Sequence, residues 1–286
     1  MNGSLTDPLY GSANSVWQAR LRQLGVVFRI ELARTLTSQR VLAPVLLCLL
    51  PIGLLAVIGS LDQDGEPLME TPERARYGFS YIYSSIVLGA VVYFGCAALF
   101  TSLFRGELLE RSLHYYLLTS MRRELLALGK YLAGLTAAVG LFGGTTVLAY
   151  LLLYLPFGGS RLMADLAGQG GSQLAAYFGV TLLGCIGYGA VFTLAGLLFR
   201  NPVIPIAIFT AWEVWHVVLP PALRVFSVLH YLKALLPVPM DEGPLAVVTE
   251  PPAVWVSVAG LLALAVGVLI VAAWCLRRAE VRYTED

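Results

Sequence analysis

Two titratable side chains lie inside one apolar stretch of the sequence, residues 202–219. Glu213 and His216 occur in TAWEVWHVVLP and are three positions apart, so a helix would place them on one face. An ionisable residue within a long apolar segment is costly and marks a candidate substrate path or proton relay. The neighbouring Trp212 and Trp215 favour another interpretation, in which Glu213 anchors the helix at a membrane interface or bonds to a second helix.

The sequence lacks the residue patterns of the common catalytic and metal sites. Its three histidines, at 114, 216 and 230, form no HExxH pair, and no GxSxG motif is present. Each of the four cysteines stands alone in or beside an apolar stretch, as small buried residues do: Cys48, Cys96, Cys185 and Cys275. We therefore expect no catalytic residue, metal ligand or cofactor in this chain.

Gly129–Lys130 has the ending of a phosphate-binding loop but not the rest of it. Glu124 stands where the first glycine is required, and Tyr131 replaces the serine or threonine that contacts magnesium. The chain is not expected to bind ATP by that route, so any ATP hydrolysis would belong to a separate subunit.

The composition indicates a bilayer as the solvent for most of these residues. Hydrophobic residues make up 58% of the 286-residue chain and charged residues 13%, whereas soluble domains contain about 25% charged residues. The sequence predicts an all-α membrane protein with a single transmembrane domain over residues 1–286.

Six stretches are long and apolar enough to cross the ~30 Å hydrocarbon layer as helices, which takes ~20 residues each. They are residues 41–60, 79–104, 129–155, 173–199, 202–219 and 253–276. Only Arg200 and Asn201 separate the fourth from the fifth, so these two helices are predicted to form a tight antiparallel hairpin.

The distribution of basic residues predicts the orientation of the chain. If the N-terminus is cytoplasmic, fourteen Lys and Arg residues lie on the inner side and five on the outer side. Both termini are therefore expected in the cytoplasm, with the protein in the cell (inner) membrane.

Residues 16–36, before the first predicted span, have the spacing of an amphipathic helix. Arginines lie off its apolar face, which carries Trp17, Leu21, Leu24, Phe28 and Leu32. The pattern favours a helix lying flat on the inner leaflet over a soluble helix that docks on a partner.

The outer loop between the fifth and sixth spans covers residues 220–252 and contains an apolar stretch at 222–236. This stretch is too short to span the membrane, and prolines bracket it on both sides. The pattern favours re-entrant or surface-lying helices.

Small residues recur at four-residue steps in two predicted spans. Gly140 and Gly144 form a GxxxG pattern, and Ala259, Ala263 and Gly267 form a ladder in the last span. Such faces let helices approach closely, either within one chain, which is the more ordinary use, or across a dimer seam.

A charged amphipathic segment, residues 106–135, lies between the second and third predicted spans. It begins with Glu107, Glu110 and Arg111 and continues with an apolar stripe of Leu109, Leu113, Tyr116 and Leu117. A break at Thr119–Ser120 offers a helix N-cap, Arg122 and Arg123 follow, and Gly129–Lys130 leads into the third span.

This order of residues resembles the type-2 ABC exporter permeases. That family has a Glu-Arg pair soon after the second span, a Leu-rich amphipathic stretch, a short break and a Gly-Lys pair entering the third span. The matching residues here are Glu110–Arg111, Leu113 to Leu118, Thr119–Ser120 and Gly129–Lys130. The match is looser after the Glu-Arg pair, where Ser112 and Leu113–His114 replace the small residue and threonine of the family.

The resemblance implies a six-span permease domain with an elbow helix before the first span and re-entrant helices between spans five and six. Two permease halves, here expected as a homodimer, would each carry a cytoplasmic ATPase subunit that holds ATP and magnesium. Residues 105–126 would form the coupling helix, with contacts to the ATPase from Glu107, Glu110, Arg111, Leu113, Tyr116, Leu117, Arg122 and Arg123. An amphipathic helix of this kind suits a groove on a soluble partner; a helix lying on the inner leaflet is the alternative.

By the same resemblance, spans two and five would line the transport path. The candidates there are Tyr81, Tyr83, Tyr93, Phe94, Phe209, Trp212, Glu213 and His216. They favour an apolar or amphipathic substrate, although core or interface packing is the more ordinary role for such aromatics.

The family exports drugs, lipids, polysaccharides and peptides, and some members serve the maturation of extracytoplasmic enzymes. The sequence does not choose among these roles. Membrane lipids and an extracytoplasmic accessory protein are further candidate partners, whereas nucleic acid is not.

Three other functions remain as alternatives. An ion-coupled secondary transporter would use Glu213 and His216, but it predicts an internal repeat, and no convincing one relates residues 1–140 to residues 141–286. An intramembrane enzyme would need a catalytic pair at matched depth, which the sequence lacks. A non-transporting membrane scaffold could have the same fold.

Overall fold

The computed structural model describes residues 13–60, 62–63, 66–67, 72–109, 123–154, 157–199, 201–215, 220–238 and 252–278. Within these residues the fold is helical, apart from strands β1 (Asp62–Gln63) and β2 (Glu66–Pro67), which pair antiparallel. The predicted all-α fold is confirmed for the described part of the chain.

The chain begins with a bent pair of helices. Helix α1 (Ala13–Thr37) is followed by a 3-10 turn (Gln39–Val41) and by the apolar helix α2 (Leu42–Ser60). The axes of residues 20–37 and 42–58 differ by 64°. The elbow helix and first span of the sequence prediction thus correspond to these two helices, which count together as at most one further crossing.

Among the described residues, four helical stretches are long and apolar enough to cross a membrane: Arg74–Leu103, Leu125–Leu153, Gln169–Leu198 and Val254–Leu276. They correspond to predicted spans two, three, four and six. Together with the bent pair they give up to five crossings and indicate a multi-span membrane protein.

Two of these crossings contain π-helical turns in their middle. Helices α3 (Pro72–Ile82) and α4 (Tyr93–Leu109) flank the π-helix Tyr83–Val92, and helices α5 (Arg123–Ala138) and α6 (Gly144–Leu153) flank Val139–Gly143. The other two crossings are continuous α-helices, α8 (Gln169–Leu198) and α12 (Val254–Arg278).

A short helix, α7 (Gly159–Ala167), joins the third crossing to α8 and was not expected from the sequence. The residue before it, Gly158, has φ of 83°, a left-handed conformation that side chains disfavour. The Gly158–Gly159 pair therefore permits the change of chain direction between α6 and α7.

The predicted fifth span, residues 202–219, is described in part as helix α9 (Val203–Trp215). Its thirteen residues extend about 20 Å, and residues 216–219 lie outside the described part, so a full crossing here stays a prediction. Two small helices follow, α10 (Pro221–Arg224) and α11 (Val228–Ala234), and α11 packs against α8 and α12.

Helix α8 forms the centre of the described fold, and its glycines allow the neighbouring helices to approach. A Cβ added at Gly189 would lie 2.7 Å from the Phe100 ring of α4, and one at Gly196 would lie 2.9 Å from the Thr101 carbonyl oxygen. On another side, a Cβ at Gly187 would lie 2.8 Å from Val228 of α11. Close packing of α8 thus places helix α11 against the core.

The small-residue faces singled out in the sequence do not pack within the described chain. A Cβ added at Gly140, Gly144 or Gly267 would meet nothing within 4 Å, and Ala259 and Ala263 are exposed. Intrachain packing is therefore the wrong account of these faces among the described residues. The glycines of α8 have that role instead.

Candidate functional site

Glu213 caps the N-terminal end of helix α11. Its carboxylate accepts a hydrogen bond from the Ser227 hydroxyl at 2.6 Å and from the backbone N–H groups of Val228 at 3.1 Å and Leu229 at 3.3 Å. Ser227 Oγ in turn accepts the N–H of His230 at 3.2 Å. These donors would otherwise lack partners at the helix N-terminus, so the side chain acts as a cap from a distant part of the sequence.

Glu213 lies in the interior of the described fold. The residue is 8% exposed, and its carboxylate is hydrogen-bonded to the start of helix α11. The interpretation of Glu213 as a helix–helix hydrogen-bonding residue agrees with this geometry. His216 lies outside the described residues, so its shared face with Glu213 stays a prediction.

Tyr93 ties the short helix α9 to α4. Its hydroxyl donates to the Ile206 carbonyl at 3.3 Å and accepts from Thr210 Oγ1 at 3.1 Å. Its ring meets those of Tyr188 and Phe192 edge-on, with centroids 5.1 and 5.3 Å apart. Tyr93 is thus a buried packing residue that positions α9.

The predicted path residues are not brought together in one lining. Tyr81 is 62% exposed on the outer surface of the described chain, whereas Tyr83 and Tyr93 are buried in the core. Phe209 and Trp212 do share one surface, which is described next. The sequence did not distinguish the buried residues of this set from the exposed ones. A membrane-crossing helix rich in aromatic residues has no polar face that would mark its exposed side.

An apolar depression, here called the lateral groove, runs between α8, α9 and α12 and has a volume of about 570 Å³. Phe209 and Trp212 belong to its walls. Its lining comprises Val191, Leu194, Ala195, Leu198, Phe199, Ile208, Phe209, Ala211, Trp212, Trp215, Phe226, Leu264 and Val268. The groove can accept an apolar ligand, and none of its described lining residues is charged.

A chain of buried hydroxyl groups joins α3, α6 and α8. Tyr83 donates to the Tyr177 carbonyl at 2.9 Å and pairs with the Thr181 hydroxyl at 2.9 Å, and Thr181 contacts the Thr146 hydroxyl at 3.0 Å. The hydroxyls of Ser80 and Tyr177 are also hydrogen-bonded. The sequence analysis missed this network, although Ser80–Tyr83 and Tyr177–Thr181 occur at helical spacing.

A second polar cluster connects α7 to two of the crossings. Arg76 of α3 pairs with Asp165 at 3.5 Å, and Tyr150 donates to the same carboxylate at 3.1 Å. The neighbouring Tyr154 is also buried, and its ring centroid lies 5.5 Å from that of Tyr150. The cluster is therefore a polar contact between α7 and the crossings.

Lys130 and Glu31 form a buried ion pair between α5 and α1. Lys130 Nζ lies 2.7 Å from Glu31 Oε1 and also donates to the Leu103 carbonyl of α4 at 3.4 Å. The adjacent Gly129 makes room for α1, since a Cβ there would lie 2.8 Å from Val27 Cγ1. The Gly-Lys pair of the sequence motif thus joins three helices at one point.

Within the chain, α1 makes contacts on a side that the apolar periodicity did not mark. The side of α1 that packs on α5 centres on Val27 and Glu31, which are buried, whereas Leu21 of the predicted apolar face is 64% exposed. The placement of that apolar face on the inner leaflet stays a prediction.

The predicted ATPase contacts fall largely outside the described residues. Glu110, Arg111, Leu113, Tyr116, Leu117 and Arg122 all lie outside that part. The backbone of Glu107 belongs to α4 and that of Arg123 to α5, but their side chains are not described. The structure describes the two helix ends, Leu109 of α4 and Arg123 of α5, between which the remaining residues of this segment lie.

Among the described residues, no group of three histidine, cysteine, aspartate or glutamate side chains could hold a metal ion. Comparison with protein-family models, curated proteins and solved structures finds no match to this chain. The resemblance to ABC exporter permeases therefore stays a prediction from the sequence.

Proposed function

We propose that this multi-span membrane protein is the permease subunit of an ATP-driven transporter and that a separate ATPase subunit supplies the energy. The position of Lys130 carries the proposal. Its ammonium group binds the last turns of α4 through the Leu103 carbonyl and the elbow helix through Glu31. Lys130 itself belongs to α5. Its side chain therefore connects α4 and α5, the helices that precede and follow the charged segment, to α1.

This junction supports the proposal for a mechanical reason. A partner that binds residues 105–122 would act on the ends of α4 and α5, which the Lys130 contacts connect. The ion pair passes the same displacement to α1, where Val27 fills the space beside Gly129. Tightly packed interiors transmit strain between elements rather than absorbing it. A charged cytoplasmic segment attached to these connected helices is suited to move several membrane helices at once.

The proposed substrate is apolar or amphipathic. The lateral groove offers aromatic and aliphatic walls, and the buried carboxylate of Glu213 is engaged by three donors. A strongly charged substrate would find no free countercharge on these groups. The exposed Gly140–Gly144 face favours a second copy of the chain as the other permease half, because small residues allow close approach in a membrane.

Affinity purification of the tagged protein from its native membrane tests the proposal. We expect an ATPase subunit to copurify in equimolar amount and its hydrolysis to respond to the permease. A matched variant in which residues 112–118 are replaced by a Gly/Ser sequence of equal length should lose the ATPase and keep the helical content of the wild type. If no ATPase copurifies with the wild-type protein and ATP leaves it unchanged, the proposal is wrong.

A further inference from the structure

The side of α1 that faces away from α5 combines arginines with aliphatic residues. Val27 and Glu31 are buried on the packed side of this helix. Five exposed residues recur at the three- and four-residue steps of another helix face, here called the outward face: Arg22, Val26, Arg29, Ile30 and Ala33. Val26 and Ile30 are 57% and 55% exposed, so more than half of each aliphatic side chain is open to its surroundings.

The arginines of the outward face receive no countercharge from their own helix. Helix α1 contains four arginines and one acid, Glu31. The Glu31 carboxylate is buried and lies 2.7 Å from Lys130 Nζ. Lys130 therefore neutralises the one acid that α1 could offer to Arg22 and Arg29. This leaves the outward face with the chemistry of a site for anions.

The contacts of α1 place its middle beside the ends of two crossings and not beside their centres. Glu31 binds Lys130, which lies near the beginning of the crossing Leu125–Leu153. Lys130 also donates to the carbonyl of Leu103, the last residue of the crossing Arg74–Leu103. An exposed face that carries both arginine and aliphatic side chains suits the headgroup region of a bilayer, because charge is costly in hydrocarbon.

Arginine side chains and lipid phosphates match in charge and geometry. A guanidinium group can hold a phosphate through two parallel hydrogen bonds. Arg22 and Arg29 are seven residues apart, about 10.5 Å along the helix, so each can bind a different phosphate. Val26 and Ile30 lie between them and suit the first methylene groups of the acyl chains. A zwitterionic lipid has an ammonium group of its own that competes for its phosphate, so an anionic lipid is favoured.

We propose that the outward face of α1 binds the headgroups of anionic phospholipids through Arg22 and Arg29. This binding requires only that the protein spans a bilayer. It is independent of the proposed ATPase, and the two can fail separately.

Photolabelling with two lipid probes tests the proposal. The full chain is reconstituted in phosphatidylcholine vesicles that contain the same amount of either phosphatidylglycerol or phosphatidylcholine with a diazirine near the ester of one chain. Mass spectrometry then gives the ratio of labelling by the two probes at Val26 and Ile30 and, for comparison, at the exposed Leu42 and Leu46 of α2. One basic residue near an anionic lipid surface corresponds to about a fivefold preference, so we expect the ratio on α1 to exceed that on α2 by about fivefold or more.

Matched variants identify the groups that select the lipid. Arg22→Gln and Arg29→Gln should each lower the ratio on α1 by about fivefold. Arg161→Gln, which removes the same charge from an exposed position on α7, should leave it unchanged. Arg22→Lys and Arg29→Lys keep the charge and should retain most of the preference. Gel filtration and circular dichroism establish that each variant is folded.

Three results would overturn the proposal. The first is a ratio on α1 equal to that on α2, which would mean that the outward face does not select the headgroup. The second is a preference that survives both glutamine substitutions together. The third is labelling of Leu42 and Leu46 without any labelling of Val26 and Ile30, which would assign the outward face to a protein partner. None of these readouts involves ATP or an ATPase.

Discussion

Lys130 Nζ and Glu31 Oε1 lie 2.7 Å apart, and the two side chains are only 0% and 5% exposed. They are 99 positions apart in sequence, Glu31 in helix α1 and Lys130 in helix α5. Two charges removed from water are stable together only when their remaining hydrogen-bonding capacity is also used. The Leu103 carbonyl provides a further acceptor for the lysine, so the pair organises the region where the charged segment meets the membrane helices.

We predict that breaking this pair from one side strongly destabilises the protein. Lys130→Met leaves an uncompensated carboxylate, and Glu31→Leu leaves a buried ammonium group, so either change should cost about 3–5 kcal/mol. The double variant Glu31→Leu/Lys130→Met removes both charges and should recover most of that loss. Denaturant unfolding of the protein in detergent, followed by circular dichroism, measures each free energy.

Arg29→Met, also on α1 but at an exposed position, is the control for the loss of a positive charge. It should change the free energy of unfolding by less than about 0.5 kcal/mol. Single variants at Lys130 and Glu31 that behave like this control would mean that the two charges are solvated and that the junction of three helices is loose.

The sequence predicted the existence of the crossings but not this junction. Apolar stretches near 20 residues long identify crossings because a bilayer demands them, and four of the six appear at nearly the predicted bounds. Glu31 could not be recognised as buried, since on its own helix it looks like an ordinary surface acid. Only its partner, 99 residues later, makes its burial possible.

We predict that Glu213 stabilises helix α11. Glu213→Ala leaves the Ser227 hydroxyl and two backbone N–H groups without their acceptor, and it should lower the free energy of unfolding by about 2–3 kcal/mol. Glu213→Gln keeps one carbonyl acceptor and should cost less. Hydrogen exchange of residues 227–234 should rise in both variants, in the same order.

Transport measurements separate this capping role from a proton relay. If Glu213 only caps α11, Glu213→Gln should keep the pH profile of transport in reconstituted vesicles. A profile that becomes flat in this variant, with the fold intact, would favour the secondary-transporter alternative from the sequence analysis.

Glycines of α8 should differ sharply in their tolerance of a methyl group. Gly196→Ala brings a Cβ to 2.9 Å from a backbone carbonyl oxygen of α4, which cannot rotate away, so we expect a loss of about 1–3 kcal/mol. Gly179→Ala, on the same helix, meets nothing within 4 Å and should be neutral or stabilising by up to ~1 kcal/mol, because alanine favours helix. Thermal unfolding in detergent compares them, and equal effects would mean that α4 and α8 are farther apart than described.

The glycine pattern also explains why the small-residue faces were assigned incorrectly. Regular four-residue steps drew attention to Gly140 and Gly144, but the contacts of α8 use Gly184, Gly187, Gly189 and Gly196 at uneven steps. A helix surrounded by several others needs glycine wherever a large side chain such as Phe100 happens to cross it. Such positions depend on the partner helix, so the spacing along one sequence does not contain them.

Charge reversal in segment 106–135 tests the proposed coupling to an ATPase. Glu110→Arg and Arg111→Glu each turn an attraction to a complementary partner surface into repulsion, so ATPase binding should weaken by about tenfold or more, equivalent to ~1.4 kcal/mol. Arg161→Glu, an exposed reversal on α7 with the same change in net charge as Arg111→Glu, serves as the control. The amount of ATPase that copurifies and its stimulated hydrolysis are measured together. Assembly and stimulation that remain at wild-type level in both segment variants would remove the coupling role from these residues, whereas a loss shared with Arg161→Glu would reflect net charge alone.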